Sequence, residues 1–223
     1  MNRSELIHRG WHERSIYATD ASMYREVPSG IAAPRDGEEL QRIVAETAKH
    51  NEPILARGAG SSLAGQTVGH GVVLDFSRHM HQLLSLDPNH QSAWVQPGLV
   101  LDELNRQAAA YGLQFGPDVS TSTHATLGGM IANRSAGSYS LKYGMTDEHV
   151  LALNCVLADG TKLRLQKGAS RQDPLVEQLT AEVAKIVWSV EHEIDRRYPS
   201  IRRNVAGYAL DDFLAKLRSS TPG

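Results

Sequence analysis

Arg57, Gly58, Ala59, Gly60, Ser61 and Ser62 follow an apolar run directly, with Gly65 and Gln66 just beyond, in the stretch PILARGAGSSLAGQTVGHGVVLDFS from Pro53 to Ser77. Residues of these types in this order can hold an anion. Glycines at 58, 60 and 65 have access to backbone angles closed to other residues, which lets successive N–H groups converge on a phosphate, and the two serines add hydroxyl donors. Arg57 would add positive charge at the entrance. A second segment, GPDVSTSTHATLGGMIANRSAGSYSLKYG from Gly116 to Gly144, gathers more small residues and hydroxyls around the amide of Asn133. The first stretch alone reads equally well as a serine-rich surface turn. The second favours a ligand, because a purely structural loop of that length is uncommon, and two such loops could line one extended molecule.

Two familiar phosphate loops fail here. Gly60 to Thr67 spells a P-loop except that Gln66 stands where the phosphate-binding lysine belongs, and glycines at 69 and 71 interrupt the helix that should follow. The dinucleotide fingerprint fails at Leu63, which occupies the place of its third glycine. Other chemistry-bearing residues read as structural or solvated. His70, His79 and His81 have no accompanying carboxylate cluster and so make no metal site, while His124 and His149 are expected to pack or hydrogen-bond. Cys155, the single cysteine, rules out an intramolecular disulfide and reads as a buried strand thiol. Trp94 and Trp188 are expected in the core, and Glu177, Glu182 and Glu191 on a solvated helix face.

The elements that must position these loops alternate between helix and strand. DGEELQRIVAETAKHN predicts a helix to about Lys49 with Asp36 as its N-cap; PILA and GVVLDF predict buried strands on either side of the first loop. SAWVQPG predicts a strand ended by Pro97, and LDELNRQAAAYG a helix ended by Gly112. VLALNCVLADGTKLRL predicts a hairpin whose tight turn uses Asp159 and Gly160 for positive φ, and DPLVEQLTAEVAKIVWSVEHEIDRRYP one long helix stopped by Pro199. A chain of 223 residues, 41% hydrophobic and 22% charged, can bury a sizeable core. Its formal charge of −2 offers no bulk attraction to nucleic acid, and no apolar run is long enough for a membrane span. Without the apolar core of a signal peptide near Met1, the expected compartment is the cytoplasm.

The segments RGAGSSLAGQTVG, VVLDFSRHM, VQPGLVLDELN, the second glycine-rich segment and VLADG, in this order, resemble the FAD-binding domain of the FAD-linked oxidases, the vanillyl-alcohol oxidase superfamily with its PCMH-type domain. The likeness is greatest to D-lactate, glycolate and D-2-hydroxyglutarate dehydrogenases, notably long forms that carry a C-terminal iron–sulfur domain; YATDASMYREVPSGIAAPRD resembles their opening. The resemblance implies an α+β fold of two α/β lobes, the first with a small parallel sheet and the second with a larger mixed sheet. Residues 1–32 would form an arm, 33–86 the first lobe and 87–223 the second.

The resemblance also implies FAD as cofactor. Its pyrophosphate loop would be Arg57, Gly58, Ala59, Gly60, Ser61 and Ser62, with Gln66 behind. Pro117, Asp118 and Thr121 would lie near the flavin, with Thr126, Gly128, Gly129 and Asn133 along the ribityl and diphosphate, and Ser135, Gly137 and Gly144 extending that wall. Family members that attach flavin covalently have a histidine where Ser61 stands, so the flavin is expected to be non-covalent. The implied activity is hydride transfer from the α-carbon of a small 2-hydroxy acid to flavin N5, with an electron acceptor that the sequence does not name. The chain ends before the family's GSEGTLG segment and substrate-capping domain, so it is expected to be an incomplete domain, inactive alone, whose missing C-terminal domains lie in cis or in a separate subunit. In the complete enzyme it could be peripheral at the inner membrane. No catalytic residue is assigned. A non-catalytic flavin- or nucleotide-binding or interaction module is the alternative.

Overall fold

A computed structural model describes residues 6–166, 173–201, 204, 205 and 207–220. The chain divides into two compact units, Met1–Val150 with Cys155–Lys162, and Leu151–Asn154 with Leu163–Gly223. The fold is α+β.

The first unit opens with a short helix, α1 (Trp11–Ile16), and strand β1 (Gly30–Ala32). Helix α2 (Gly37–Lys49) starts where Asp36 caps it, the carboxylate accepting from the Glu39 N–H at 2.8 Å while Glu39 accepts from Arg35 N–H at 2.8 Å. The first bond satisfies a donor that the helix end leaves open, and the second ties down the residue before the cap. Strands β2 (Ile54–Arg57) and β3 (Val72–Asp75) complete a parallel sheet of order β1-β3-β2. Each residue of β3 is buried, as befits the central strand of a parallel sheet. Ile43 and Val44 of α2 pack with Ala32, Val72 and Leu74 to form one core.

Strands β4 (Leu83–Asp87) and β5 (Ser92–Val95) form an antiparallel ribbon, followed by α3 (Leu101–Ala108) and a 3₁₀ turn that ends at Gly112 with φ +68°. Leu99, Leu101 and Leu104 pack against Ala125, Leu127 and Met130, the last two on helix α4 (Leu127–Ala132), in a second core. A short helix, α5 (Ser140–Tyr143), and a 3₁₀ turn (Thr146–His149) lead to strands β6 (Ala152–Val156) and β7 (Lys162–Gln166). In the second unit, α6 (Pro174–Ser189), α7 (Glu191–Arg197) and α8 (Leu210–Ser220) share a core of Val187, Ile194 and Leu214.

Several expectations need correction. Beyond β3 the described strands form two separate two-stranded sheets in place of one larger mixed sheet; the segments around Val100 and Thr126 meet only as an isolated bridge. The hairpin turn places Gly160 alone at positive φ (+87°), while Asp159 accepts from Thr161 N–H at 2.8 Å. With Leu157 N–H donating to Thr161 O and Gly160 N–H to Leu157 O, this is a turn followed by a glycine bulge. The predicted long helix breaks at Val190, where Ser189 Oγ donates back to Ile186 O at 2.7 Å, a local bond that competes with the helical ladder. Trp94 and Trp188 are more than a third exposed, because a two-stranded ribbon and a small helical unit each leave a face uncovered. Glu191 pairs with Arg218 instead of facing solvent alone.

Candidate functional site

The parallel sheet delivers the C-terminal ends of β2 and β3 to one edge, the edge at which open α/β sheets bind ligands. The first glycine-rich loop leaves β2 there. Among the described residues, the N–H groups of Ala59 to Leu63 donate to no protein acceptor, and the hydroxyls of Ser61 and Ser62 engage no partner. These donors are available to an anion.

Thr126 is buried at the head of α4, and Gly58 lies so close to it that a Cβ at 58 would overlap Thr126 Oγ1 and stand 3.1 Å from both its Cβ and its Cγ2. The two glycine-rich segments therefore meet at Gly58 and Thr126. Gly128 is held against the chain before α3, its N–H donating to Pro97 O at 2.8 Å, and a Cβ on it would come within 2.8 Å of the Pro97 ring. Gly129 lies beside Thr126 Oγ1, and its carbonyl accepts from both the backbone and the side-chain amide of Asn133. One N–H of the Asn133 amide is thus used within its own helix turn.

The remaining expected site residues form a second group. Gly137 packs directly on the Asp118 carbonyl, with no room for a side chain, and Asp118 Oδ1 accepts from Tyr139 N–H at 2.8 Å. Pro117 is buried beside them, and the Thr121 carbonyl takes the N–H groups of His124 and Ala125. The Ser135 carbonyl accepts from both the N–H and the hydroxyl of Thr146, while Gly144 holds φ at +78° beside the Glu148 carboxylate. Gln66 is exposed.

Arg57 differs from expectation. Its guanidinium donates to the Thr19 carbonyl at 2.9 Å and the Tyr17 carbonyl at 3.5 Å, and lies 5.5 Å from the centre of the Tyr17 ring. Its donors serve the N-terminal arm, which the loop residues alone could not reveal. Gly60, at φ +68°, is where Arg57 passes: a Cβ there would lie 2.5 Å from Arg57 Nη2. Own-chain packing therefore shares with any ligand in demanding glycine at 58 and 60.

An open cleft of about 500 Å³ lies between these pieces. Ala59 and Thr126 contribute to its wall, together with Ser77, His81, Glu103 and His124, which the sequence reading had left outside the site. The signal for Ser77 and His81 was their place just after β3, at the ligand-binding edge. Hydrogen bonds from Arg106 and Gln107 hold the Glu103 carboxyl down at about 2, so it is ionised at neutral pH. Among the described residues neither lysine nor arginine lines the cleft. Beneath its rim, Asp75 at the end of β3 accepts from Ser77 N–H, Ser77 Oγ and the Tyr17 hydroxyl at 2.8, 2.6 and 2.7 Å. Burial raises the Tyr17 phenol, and the Asp75 hydrogen bond raises it further, which keeps that proton in place. Partial burial lifts Cys155 above the usual thiol range, but the side chain is half-buried on β6 and not the core thiol expected. His149 bonds the Tyr143 carbonyl at 2.7 Å and packs edge-on against Phe115. No group of three or more metal-ligating side chains occurs among the described residues, and no helix of theirs is long and apolar enough to cross a membrane.

Residues 28–166 match the profile of a family described as the FAD binding domain. A D-2-hydroxyglutarate dehydrogenase of Pseudomonas putida is 32% identical over 207 residues, covering 88% of this chain and 21% of that protein. The enzyme of the same name from Haemophilus influenzae is 39% identical over 69% of this chain and 15% of its own length. Glycolate oxidase subunit GlcD of Bacillus subtilis is 38% identical over 68% of this chain and 33% of its own. A solved structure of alkyldihydroxyacetonephosphate synthase superposes with a TM-score of 0.67 at 26% identity, covering 76% of this chain and 34% of that one. The chain spans about a fifth of the length of the dehydrogenase from Pseudomonas.

Proposed function

The chain belongs to the FAD binding domain family, and from that premise we propose that it is the FAD-binding portion of a flavin-dependent dehydrogenase acting on a small D-2-hydroxy acid. The cofactor of the family is FAD. The observation that carries the reading is the meeting of Gly58 with Thr126, a residue of the cleft wall, beside a run of loop N–H groups without protein acceptors. Glycine there leaves backbone donors open to close approach by a diphosphate. In this reading Gly58 to Ser62 hold the diphosphate, Thr126, Gly128, Gly129 and Asn133 wall the cofactor, and Pro117, Asp118, Thr121, Ser135, Gly137 and Gly144 shape its far end. Ionised Glu103 accepts from hydroxyl groups, which suits the cofactor's sugar chain better than its phosphates.

Bound FAD would supply the hydride acceptor that oxidation of a 2-hydroxy acid requires. The substrate class rests on the relatives, several of which are D-2-hydroxyglutarate dehydrogenases and glycolate oxidase subunits. The subunit naming of the Bacillus relative supports an assembly with further protein components. We place the boundary between the two lobes of the domain near residue 86 and the protein in the cytoplasm, where a single free cysteine is at home. Since neither lysine nor arginine among the described residues lines the cleft to fix a substrate carboxylate, the FAD-loaded chain by itself should not oxidise D-lactate, glycolate or D-2-hydroxyglutarate.

The test is titration of the purified chain with FAD, followed by flavin fluorescence and by the absorption band near roughly 450 nm of oxidised flavin. Saturable one-to-one binding is expected, with all flavin released by acid precipitation. Flavin retained in the denatured pellet would refute the non-covalent assignment, and absence of binding would overturn the reading. Turnover of any of the three acids with a dye acceptor would show that the substrate site lies within these residues.

A further inference from the structure

The N-terminal arm from Tyr17 to Tyr24 precedes the residues that match the family profile, yet it bonds directly to the first glycine-rich loop. Arg57, at the loop's start, donates to the carbonyls of Tyr17 and Thr19 and stacks over the Tyr17 ring. Ala21 N–H donates to Gly60 O at 2.9 Å. At the loop's far side, Thr67 Oγ1 donates to Asp20 Oδ2 at 2.9 Å, while the other oxygen of Asp20 accepts from Ser22 N–H at 2.8 Å. The Tyr24 ring covers Gly65, where a Cβ would lie 2.6 Å from the ring edge. Tyr17 also donates to Asp75, the carboxylate that fixes cleft residue Ser77. Burial works to raise the Asp20 carboxyl, and its hydrogen bonds from Ser22 and Thr67 more than offset this, so it stays ionised as an acceptor.

The loop thus has few bonds of its own and many to the arm. The N–H groups of Ala59 to Leu63 have no protein acceptors, while the loop's carbonyl at Gly60 and its side chains at Arg57 and Thr67 are tied to the arm. We propose that the arm from Tyr17 to Tyr24 is a working part of the cofactor site, a strap that holds residues 57–67 in the form that receives a diphosphate. Tyr17 and Asp20 are positioning residues that act through the loop. The proposal rests on the FAD reading above for the identity of the ligand, and on the contacts alone for the strap.

Two substitutions at one position separate the strap from general stability. Thr67→Val keeps the shape and removes the hydroxyl that reaches Asp20; Thr67→Ser keeps the hydroxyl. Asp20→Ala removes both bonds of the carboxylate. Three measurements are made on each chain: FAD affinity by fluorescence titration, apo melting temperature by calorimetry, and the rate of trypsin cleavage after Arg57 without FAD, which follows local opening of the loop. Losing one hydrogen bond should weaken FAD and speed cleavage by about 3- to 10-fold in Thr67→Val, with larger changes in Asp20→Ala and recovery in Thr67→Ser, while the melting temperature of Thr67→Val falls by no more than about 2–6 °C. Unchanged cleavage in both variants overturns the proposal, as does a fall in the melting temperature of Thr67→Val well beyond that range. A parent chain that takes up no FAD would refute the function reading, and the cleavage rates would still decide whether the arm straps the loop.

Discussion

Gly58→Ala tests the meeting of the two glycine-rich segments most directly. Gly58 is not among the residues with positive φ, so alanine is admissible to the backbone and the consequence is purely one of space. Its Cβ would stand 3.1 Å from Thr126 Cβ and Cγ2 and overlap Oγ1, whereas carbon atoms at rest lie about 3.5–4.0 Å apart. Loop and α4 must therefore separate by roughly half an ångström or more. Thr126 cannot swing aside freely, since it is β-branched, buried and at the head of a helix. Overpacking of this kind costs about 1–3 kcal/mol, and for a chain of this size each kcal/mol lowers the melting temperature by about 2–4 °C. The same displacement moves the loop's donors off the cofactor, so FAD affinity should fall by about 5- to 100-fold. The assay is calorimetry of the apo chain with FAD titration, on Gly58→Ala, Thr126→Ala and the double variant. Trimming Thr126 to alanine removes the overlapping Oγ1, so the double variant should recover most of the stability lost by Gly58→Ala, giving a coupling of about 1 kcal/mol or more. Additive losses, or an apo melting temperature untouched by Gly58→Ala, would refute the packing argument.

Asp36→Ala removes the carboxylate that caps α2 and should cost about 1 kcal/mol in urea unfolding while leaving FAD affinity unchanged. Gln91 sits at φ +48° in the exposed turn between β4 and β5, so Gln91→Gly should raise stability by about 0.5–1 kcal/mol, read from the same transition. Two hydrogen bonds from Arg9, with one from Ser29, hold the Glu52 carboxyl down at about 2 from its ordinary 4.5. A carboxyl depressed on folding contributes stability that is present above its unfolded value and lost as pH falls from about 4.5 toward 2. Because Arg9 is half exposed, solvent screening limits the contribution to about 1 kcal/mol; Glu52→Gln should flatten that part of the pH dependence of the urea midpoint.

Local chemistry made much of the first unit readable. Asp36 three residues before Glu39 is a capping pattern complete within four residues, and the run ending at Asp75 can only be a buried strand, so α2 and β3 follow from short windows. The glycines at 58 and 60 were legible as places where side chains are excluded. What excludes them was not, because Thr126 and the arm that draws Arg57 away lie far along the chain or on its other side. Trp94 shows the same limit, for strand periodicity reports alternation and not which face finds a partner. The break at Val190, where φ is −121°, is concealed by helical periodicity on both sides.

The strand order β1-β3-β2 has a consequence for how the molecule comes into being. β1 and β2 pair only through β3, register by register, Gly30 and Ile54 both against Val72. As the chain leaves the ribosome, two strands and the helix between them exist before any sheet can close, and the connection that must thread the last strand into the gap is the glycine-rich loop itself. Assembly of the sheet and shaping of the loop are therefore one event. Its rate is set by closure of a segment whose glycines and serines make it supple in the unfolded chain, and the edges of β1 and β2 stay open to other chains until it is done.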